Sequence, residues 1–252
     1  MKIFVLDFCK KRMSTSIVSI LLVTAILIAC SIGVVTQIFR DELFFESADA
    51  IPYDKIIILD AGHGGEDPGA IGVTGVYEKD LNLELVFEIG KILEEKGYIV
   101  VYTRTDDKLL YNEDQNIKGI RKISDLKNRC ETANKYPNSI FVSIHMNSFG
   151  DGKYSGLQVY YSPGDEASRL LADKIQSSVK DSLQKDNNRV IKQGDGMYLL
   201  ENTDPTSVLI ECGFLTNKSE CEKLSQKEYQ KELCFSISCG IIEYINEISG
   251  NI

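Results

Sequence analysis

From residue 55 onward, short apolar runs alternate with longer segments whose apolar positions recur every three or four residues. "KIIIL" (55–59) predicts a first strand, and "YIVVYT" (98–103), "SIFVSI" (139–144), "GLQVYY" (156–161) and "SVLI" (207–210) predict four more. Between them, "LNLELVFEIGKILEEKG" carries Leu81, Leu85, Ile89 and Ile92 on one helical face and ends at Gly97. "RKISDLKNRCETANKY", "DEASRLLADKIQSSVKDSL" and "YQKELCFSISCGIIEYINEI" read as further helices. Alternating strands and helices predict an α/β fold, a mostly parallel or mixed central sheet covered by helices on both faces, in a single catalytic domain over 55–252.

The pattern is different before residue 55. Residues 13–39 carry no charge and follow Lys10, Lys11 and Arg12. That length and flank predict a transmembrane anchor or signal sequence with residues 1–12 as a cytoplasmic basic segment and 40–54 as a linker. An uncleaved anchor is the first choice, because the "ADA" at 48–50 lies far downstream for cleavage. "LIAC", ending at Cys30, resembles a lipoprotein box, although the run stays apolar beyond it. Either fate sends the remainder out of the cytoplasm.

Charge narrows the partners. The chain is −9 overall; setting aside the four basic and one acidic residues of the first twelve leaves 24 Lys and Arg against 36 Asp and Glu, a net of about −12. Such a body does not bind nucleic acid nonspecifically. Seven cysteines do not form a small-domain disulfide framework.

Candidate chemistry begins at "DAGHGGEDPGA" (60–70). A phosphate loop would need a lysine followed by serine or threonine, whereas this turn holds Glu66 and Asp67. A dinucleotide fingerprint starting at Gly62 and Gly64 meets Asp67 where its third glycine belongs. The only two histidines of the chain, His63 and His145, each directly follow an apolar strand, so a parallel sheet would gather both at its C-terminal edge. A catalytic metal needs three protein ligands and an open position. Glu78 is one source of the third ligand; Asp60, Glu66, Asp67 and Asp80 compete with it, and spacing does not separate them. Glu211, ending "VLIE", is suited to move a proton at the same edge. Cys212 paired with His145 would make a cysteine hydrolase instead, and a non-catalytic wall-binding protein could use the same cleft.

Taken in order, "LDAGHGGEDPGAIG", "EKDLNL", "RTDD", "NRCETAN", "FVSIHMNS" and "IECGFLTN" resemble the zinc-dependent N-acetylmuramoyl-L-alanine amidases of bacterial cell walls, over residues 55–248 and most nearly their spore-cortex branch. The resemblance implies one Zn²⁺ held by His63, Glu78 and His145, with Glu211 as the catalytic proton carrier, and Arg104 or Asn147 as candidates to contact substrate. It implies hydrolysis of the amide between N-acetylmuramic acid and L-alanine of peptidoglycan, an extracytoplasmic site on the forespore membrane or cortex side, and product passed to a muramic acid deacetylase that leads to muramic-δ-lactam. Vegetative wall turnover, or another zinc murein peptidase or deacetylase, are the alternatives. No wall-binding repeat is evident, which leaves substrate access to the anchor or to an accessory membrane-bound or lipoprotein partner.

Overall fold

The computed structural model describes residues 55–117 and 120–250. The membrane segment, the linker and Cys30 lie outside the described residues; among those described, no helix is long and apolar enough to cross a membrane.

Six strands form one mixed sheet: β1 (Ile56–Ala61), β2 (Ile99–Tyr102), β3 (Ile140–Asn147), β4 (Gln158–Tyr161), β5 (Lys192–Gln193) and β6 (Thr206–Phe214). Their order is β2-β1-β3-β6-β4-β5. The first four in that order run parallel, β4 pairs antiparallel with β6, and β5 runs parallel to β4. The parallel part is therefore the one built by strand–helix alternation, and the reversal comes where β4 follows β3 with no intervening helix.

The helices are α1 (Glu78–Glu95), α2 (Arg121–Asn134), α3 (Glu166–Ser182), α4 (Tyr198–Asn202), α5 (Lys218–Leu224) and α6 (Lys227–Ile248). All six residues of β1 are buried, so the strand must satisfy a layer on each side. One side is the main core: Ile57, Leu59, Ile140, Val142, Val208 and Ile210 face Leu85, Ile89, Ile175 and Ile237 from α1, α3 and α6. The period-two alternation then turns Asp60, Ser143, His145, Leu209 and Glu211 to the other side, where α2 and α4 pack against one another and α4 reaches β6.

Side-chain caps fix the starts of two helices. Asp165 caps α3 by accepting from the Ala167 and Ser168 amides. Asn217 does the same for α5 through the Glu220 amide. Helix α1 begins at Glu78, three residues before the apolar stripe at Leu81, and Tyr77 offers it no side-chain cap. Its buried face is Leu81, Leu85, Val86, Ile89 and Leu93, with the expected Ile92 only half-buried. β5, α4 and α5 have two, five and seven residues, too short for periodicity to mark.

Helices α3 and α6 approach closely at Gly240 of α6, where an added Cβ would lie 2.6 Å from Ile175 Cα and 2.9 Å from Lys174 O of α3. Backbone cannot move aside as a side chain can, so Gly240→Ala is expected to lower stability by about 1–3 kcal/mol despite alanine's better helix propensity. Thermal unfolding should show this as a lowered Tm, by about 2–4 °C per kcal/mol. An unchanged or raised Tm would contradict this account of the α3–α6 contact.

Candidate metal centre

The loop after β1 is held from behind by two buried arginines. Arg129 of α2 donates from Nη1 to Asp60 Oδ1 (2.6 Å) and Ala61 O (2.7 Å), and from Nη2 to His63 O (2.7 Å). Its Nε donates to Asp125 Oδ2 at 2.8 Å. Arg104, following β2, donates from Nε to Ala61 O and from Nη2 to Gly62 O and Lys79 O, with Nη1 on Asp106 O. These bonds clamp the carbonyls of residues 61–63, and His63 itself adopts φ 62°, a left-handed conformation that costs a non-glycine residue about 1–2 kcal/mol.

Asp60 anchors that clamp. Both its oxygens are engaged, Oδ1 by Thr103 and Arg129 and Oδ2 by Ser143. Burial disfavours its charge, but Arg129 and the two hydroxyls outweigh this and hold its pKa below the ordinary carboxylate value. The other acidic competitors separate as clearly. Glu66 pairs with Arg121 at the surface, Asp80 is exposed, and Asp67 accepts from or faces His63 Nδ1 at 2.9 Å.

With Nδ1 of His63 turned to Asp67, its Nε2 points to Glu78 Oε1 at 3.2 Å. His145 Nδ1 lies 3.0 Å from the same oxygen. The ligand atoms of His63, Glu78 and His145 all fall within 4.8 Å of one another. Glu78 is positioned by the amides of Met146 (3.0 Å, to Oε1) and Ala70 (2.7 Å, to Oε2), not by capping its own helix. Close approach of the His145 ring requires Gly62, where an added Cβ would sit 2.2–2.6 Å from three ring atoms.

Glu211 completes the group. His145 and Glu211 are register partners on β3 and β6, and each is the first position along its strand that is not fully buried. Glu211 Oε2 is buried without a hydrogen-bond partner, as is His145 Nε2. His63, His145 and Glu211 share a cleft of about 260 Å³ with Asp67, Arg129 and Tyr198. Burial pushes the Glu211 carboxyl up to about 7, with His145 pulling it down and Glu78 pushing it further up. Burial works against the His63 imidazolium, but hydrogen bonds to Asp67 and Glu78 carry its pKa up to about 9. Glu78, in turn, is driven well below the ordinary range by the two histidines in spite of its burial.

Two imidazoles and one carboxylate converging beside an orphaned buried carboxylate are a donor set that fits a catalytic metal ion with an open position. Asp67 behind His63 supplies the outer hydrogen bond that fixes the ring and its tautomer.

A family model described as N-acetylmuramoyl-L-alanine amidase matches residues 57–243. The chain belongs to this amidase family. The germination-specific N-acetylmuramoyl-L-alanine amidase of Bacillus subtilis (strain 168) is 37% identical over 193 residues, covering 77% of this chain and 81% of that protein. Among solved structures, the CwlD amidase from Clostridioides difficile in complex with the GerS lipoprotein aligns with a TM-score of 0.74 at 41% identity, over 77% of this chain and 99% of that one. The N-acetylmuramoyl-L-alanine amidase from Clostridium difficile 630 aligns at 0.67 and 31%, over 76% and 97%.

Within this amidase fold, the structure brings His63, Glu78, His145 and Glu211 together. Arg104 is elsewhere: its guanidinium is occupied by four backbone carbonyls and does not line the cleft, so it shapes the loop from behind. Asn147 does not line the cleft either; its carbonyl accepts from Leu215 N where the β3–β6 register shifts. Cys212 is fully buried in the main core on the opposite face, and burial raises its thiol pKa well above the ordinary value, which removes it as a nucleophile beside His145. The five cysteines among the described residues are free. The amidase site also depends on Asp60, Arg129 and Asp125, whose roles no local spacing signals; a buried aspartate ending an apolar strand was the one available sign.

Protons compete with a metal for His63. Because its imidazolium persists toward pH 9 in the metal-free site, affinity for a divalent transition metal should rise with pH from 6 to 9 and uptake at neutral pH should release a proton. Competition with a chromophoric chelator measures this, and affinity that stays flat across that range would contradict it. Asp67→Asn should weaken metal affinity by about 10–100-fold in the same assay. Unaltered affinity would remove Asp67 from its orienting role.

Proposed function

We propose that this chain is a zinc-dependent N-acetylmuramoyl-L-alanine amidase acting on peptidoglycan in the spore cortex. The observation that carries this reading is the placing of Glu211 as the register partner of His145 at the edge where His63 and Glu78 also converge. Kinship with a germination-specific amidase supports the cortex context.

His63, Glu78 and His145 would hold the zinc, which when bound supplies Lewis-acid chemistry at the open side of the triad. Glu211 Oε2, buried and without a partner, accepts a proton from the attacking water. The same carboxyl then delivers that proton to the departing alanine nitrogen as the amide carbon–nitrogen bond breaks. Burial raises the basicity of the Glu211 carboxylate above that of an ordinary one, which is the direction a proton acceptor needs. The products are a muramic acid with a free lactyl carboxylate and a peptide beginning with free L-alanine.

The basic cluster at Lys10, Lys11 and Arg12 followed by the uncharged run 13–39 supports a catalytic domain outside the cytoplasm, anchored with its N-terminus inside. By kinship with the amidase solved with the GerS lipoprotein, an accessory lipoprotein partner belongs to this reading. The peptide-free muramic acid would pass to a deacetylase.

Digestion of purified cortex peptidoglycan by zinc-loaded protein, with fragments identified by mass, tests this. Expected are intact glycan strands and peptides with N-terminal L-alanine; cleavage within the peptide or loss of acetyl groups would defeat the reading. Glu211→Gln should remain folded and zinc-loaded while hydrolysis falls about 10²–10⁴-fold. Near-normal hydrolysis would remove Glu211 from the proton transfers.

A further inference from the structure

A second and larger groove, of about 670 Å³, lies between the loop entering β4, the end of α3 and helix α5. Its wall carries Lys185, Arg189 and Lys223, with Lys153 paired to Asp151, and the rings of Tyr154 and Tyr229, a basic lining in a chain of net charge −9. Of its two carboxylates, Asp186 and Glu220, the second is engaged by the backbone amides of Gly156 and Phe214, each at 2.8 Å.

Arg189 is the groove residue that contacts the strand next to β6. Its Nε donates to Ser155 O at 2.8 Å and its Nη1 to Gln158 Oε1 at 3.0 Å. The guanidinium lies 4.5 Å from the Phe214 ring centroid and 6.0 Å from that of Tyr154. Both acceptors are neutral, so these bonds orient the guanidinium without cancelling its charge, and Glu220 of the groove wall is the carboxylate that acts on it electrostatically. Gln158, which Arg189 contacts, is the register partner of Glu211 on the neighbouring strand. Paired strands lie about 5 Å apart, which puts the guanidinium roughly one side chain beyond Glu211; two or three extended residues at about 3.4 Å each span that distance.

Resting on the amidase reading, we propose that Arg189 is a specificity-determining residue that receives a carboxylate of the departing peptide. The groove then favours acidic peptides with a free carboxylate close to the scissile amide over their carboxamide counterparts.

The test compares two N-acetylmuramoyl peptides identical except for a carboxylate or a carboxamide on the residue after L-alanine. The full chain should prefer the carboxylate by about tenfold in kcat/KM, expressed mainly in KM, as expected for a charge-assisted contact. Arg189→Gln should abolish the preference, and Arg189→Lys, which keeps the charge but loses the fork, should retain only part of it. No preference in the unaltered protein, or one that survives Arg189→Gln, overturns the proposal. Should Arg189→Gln not fold, the unaltered protein and Arg189→Lys decide it. Failure of the amidase reading would appear separately, as no hydrolysis of either compound. Calorimetric binding of the free acidic peptide and its amide to the full chain then settles the groove, with about tenfold tighter binding of the acid expected and equal binding overturning it.

Discussion

The buried ion pair between Arg129 and Asp60 is the interaction on which the site depends. Asp60 is the last but one residue of β1, and Arg129 reaches it from α2 on the far side of the main core. Isolated in an apolar interior either charge would be costly, and deleting one partner of such a pair typically destabilises by about 3–5 kcal/mol. Here the cost is offset by saturation: Asp60 receives Thr103, Ser143 and Arg129, while Arg129 also meets Asp125 and the carbonyls of Ala61 and His63. The same guanidinium that neutralises the strand end thus holds the left-handed backbone of His63.

From that clamp the electrostatics of the cleft follow. Glu78 faces two imidazoles and is held ionised, while Glu211, one strand further on, has burial without a compensating partner and is pushed toward neutral pH. Two carboxylates at one sheet edge are thus driven in opposite directions by their surroundings. The antiparallel β4 adds a third element. It pairs Gln158 with Glu211, and Gln158 in turn accepts from Arg189 of the basic groove.

Much of the fold was legible along the chain because its apolar runs are long. Leu81, Leu85 and Ile89 on one stripe of α1 and the continuous run of β1 read directly as helix and doubly covered strand. The two-residue β5 and the five-residue α4 did not, since neither is long enough to show a period; β5 exists through its pairing with β4 and α4 through its packing on α2. Arg104 illustrates a different gap. A lone arginine near a candidate site has the same sequence whether its guanidinium meets a substrate or four carbonyls, and only the packed chain distinguishes them.

By itself the sequence determined that two histidines and Glu211 come at the close of apolar runs, and hence that a parallel sheet carries them toward one edge, although His145 and Glu211 fall inside β3 and β6 rather than after them. It did not separate Glu78 from Asp60, Glu66, Asp67 and Asp80 by spacing; the order of motifs did so only through resemblance. The tertiary structure decided their uses. Asp60 is consumed by Arg129, Asp67 by His63 and Glu66 by Arg121, which leaves Glu78 turned inward. The reason is physical: strand and helix periods are local and show in the chain, whereas the partner a buried charge finds comes from segments many residues away.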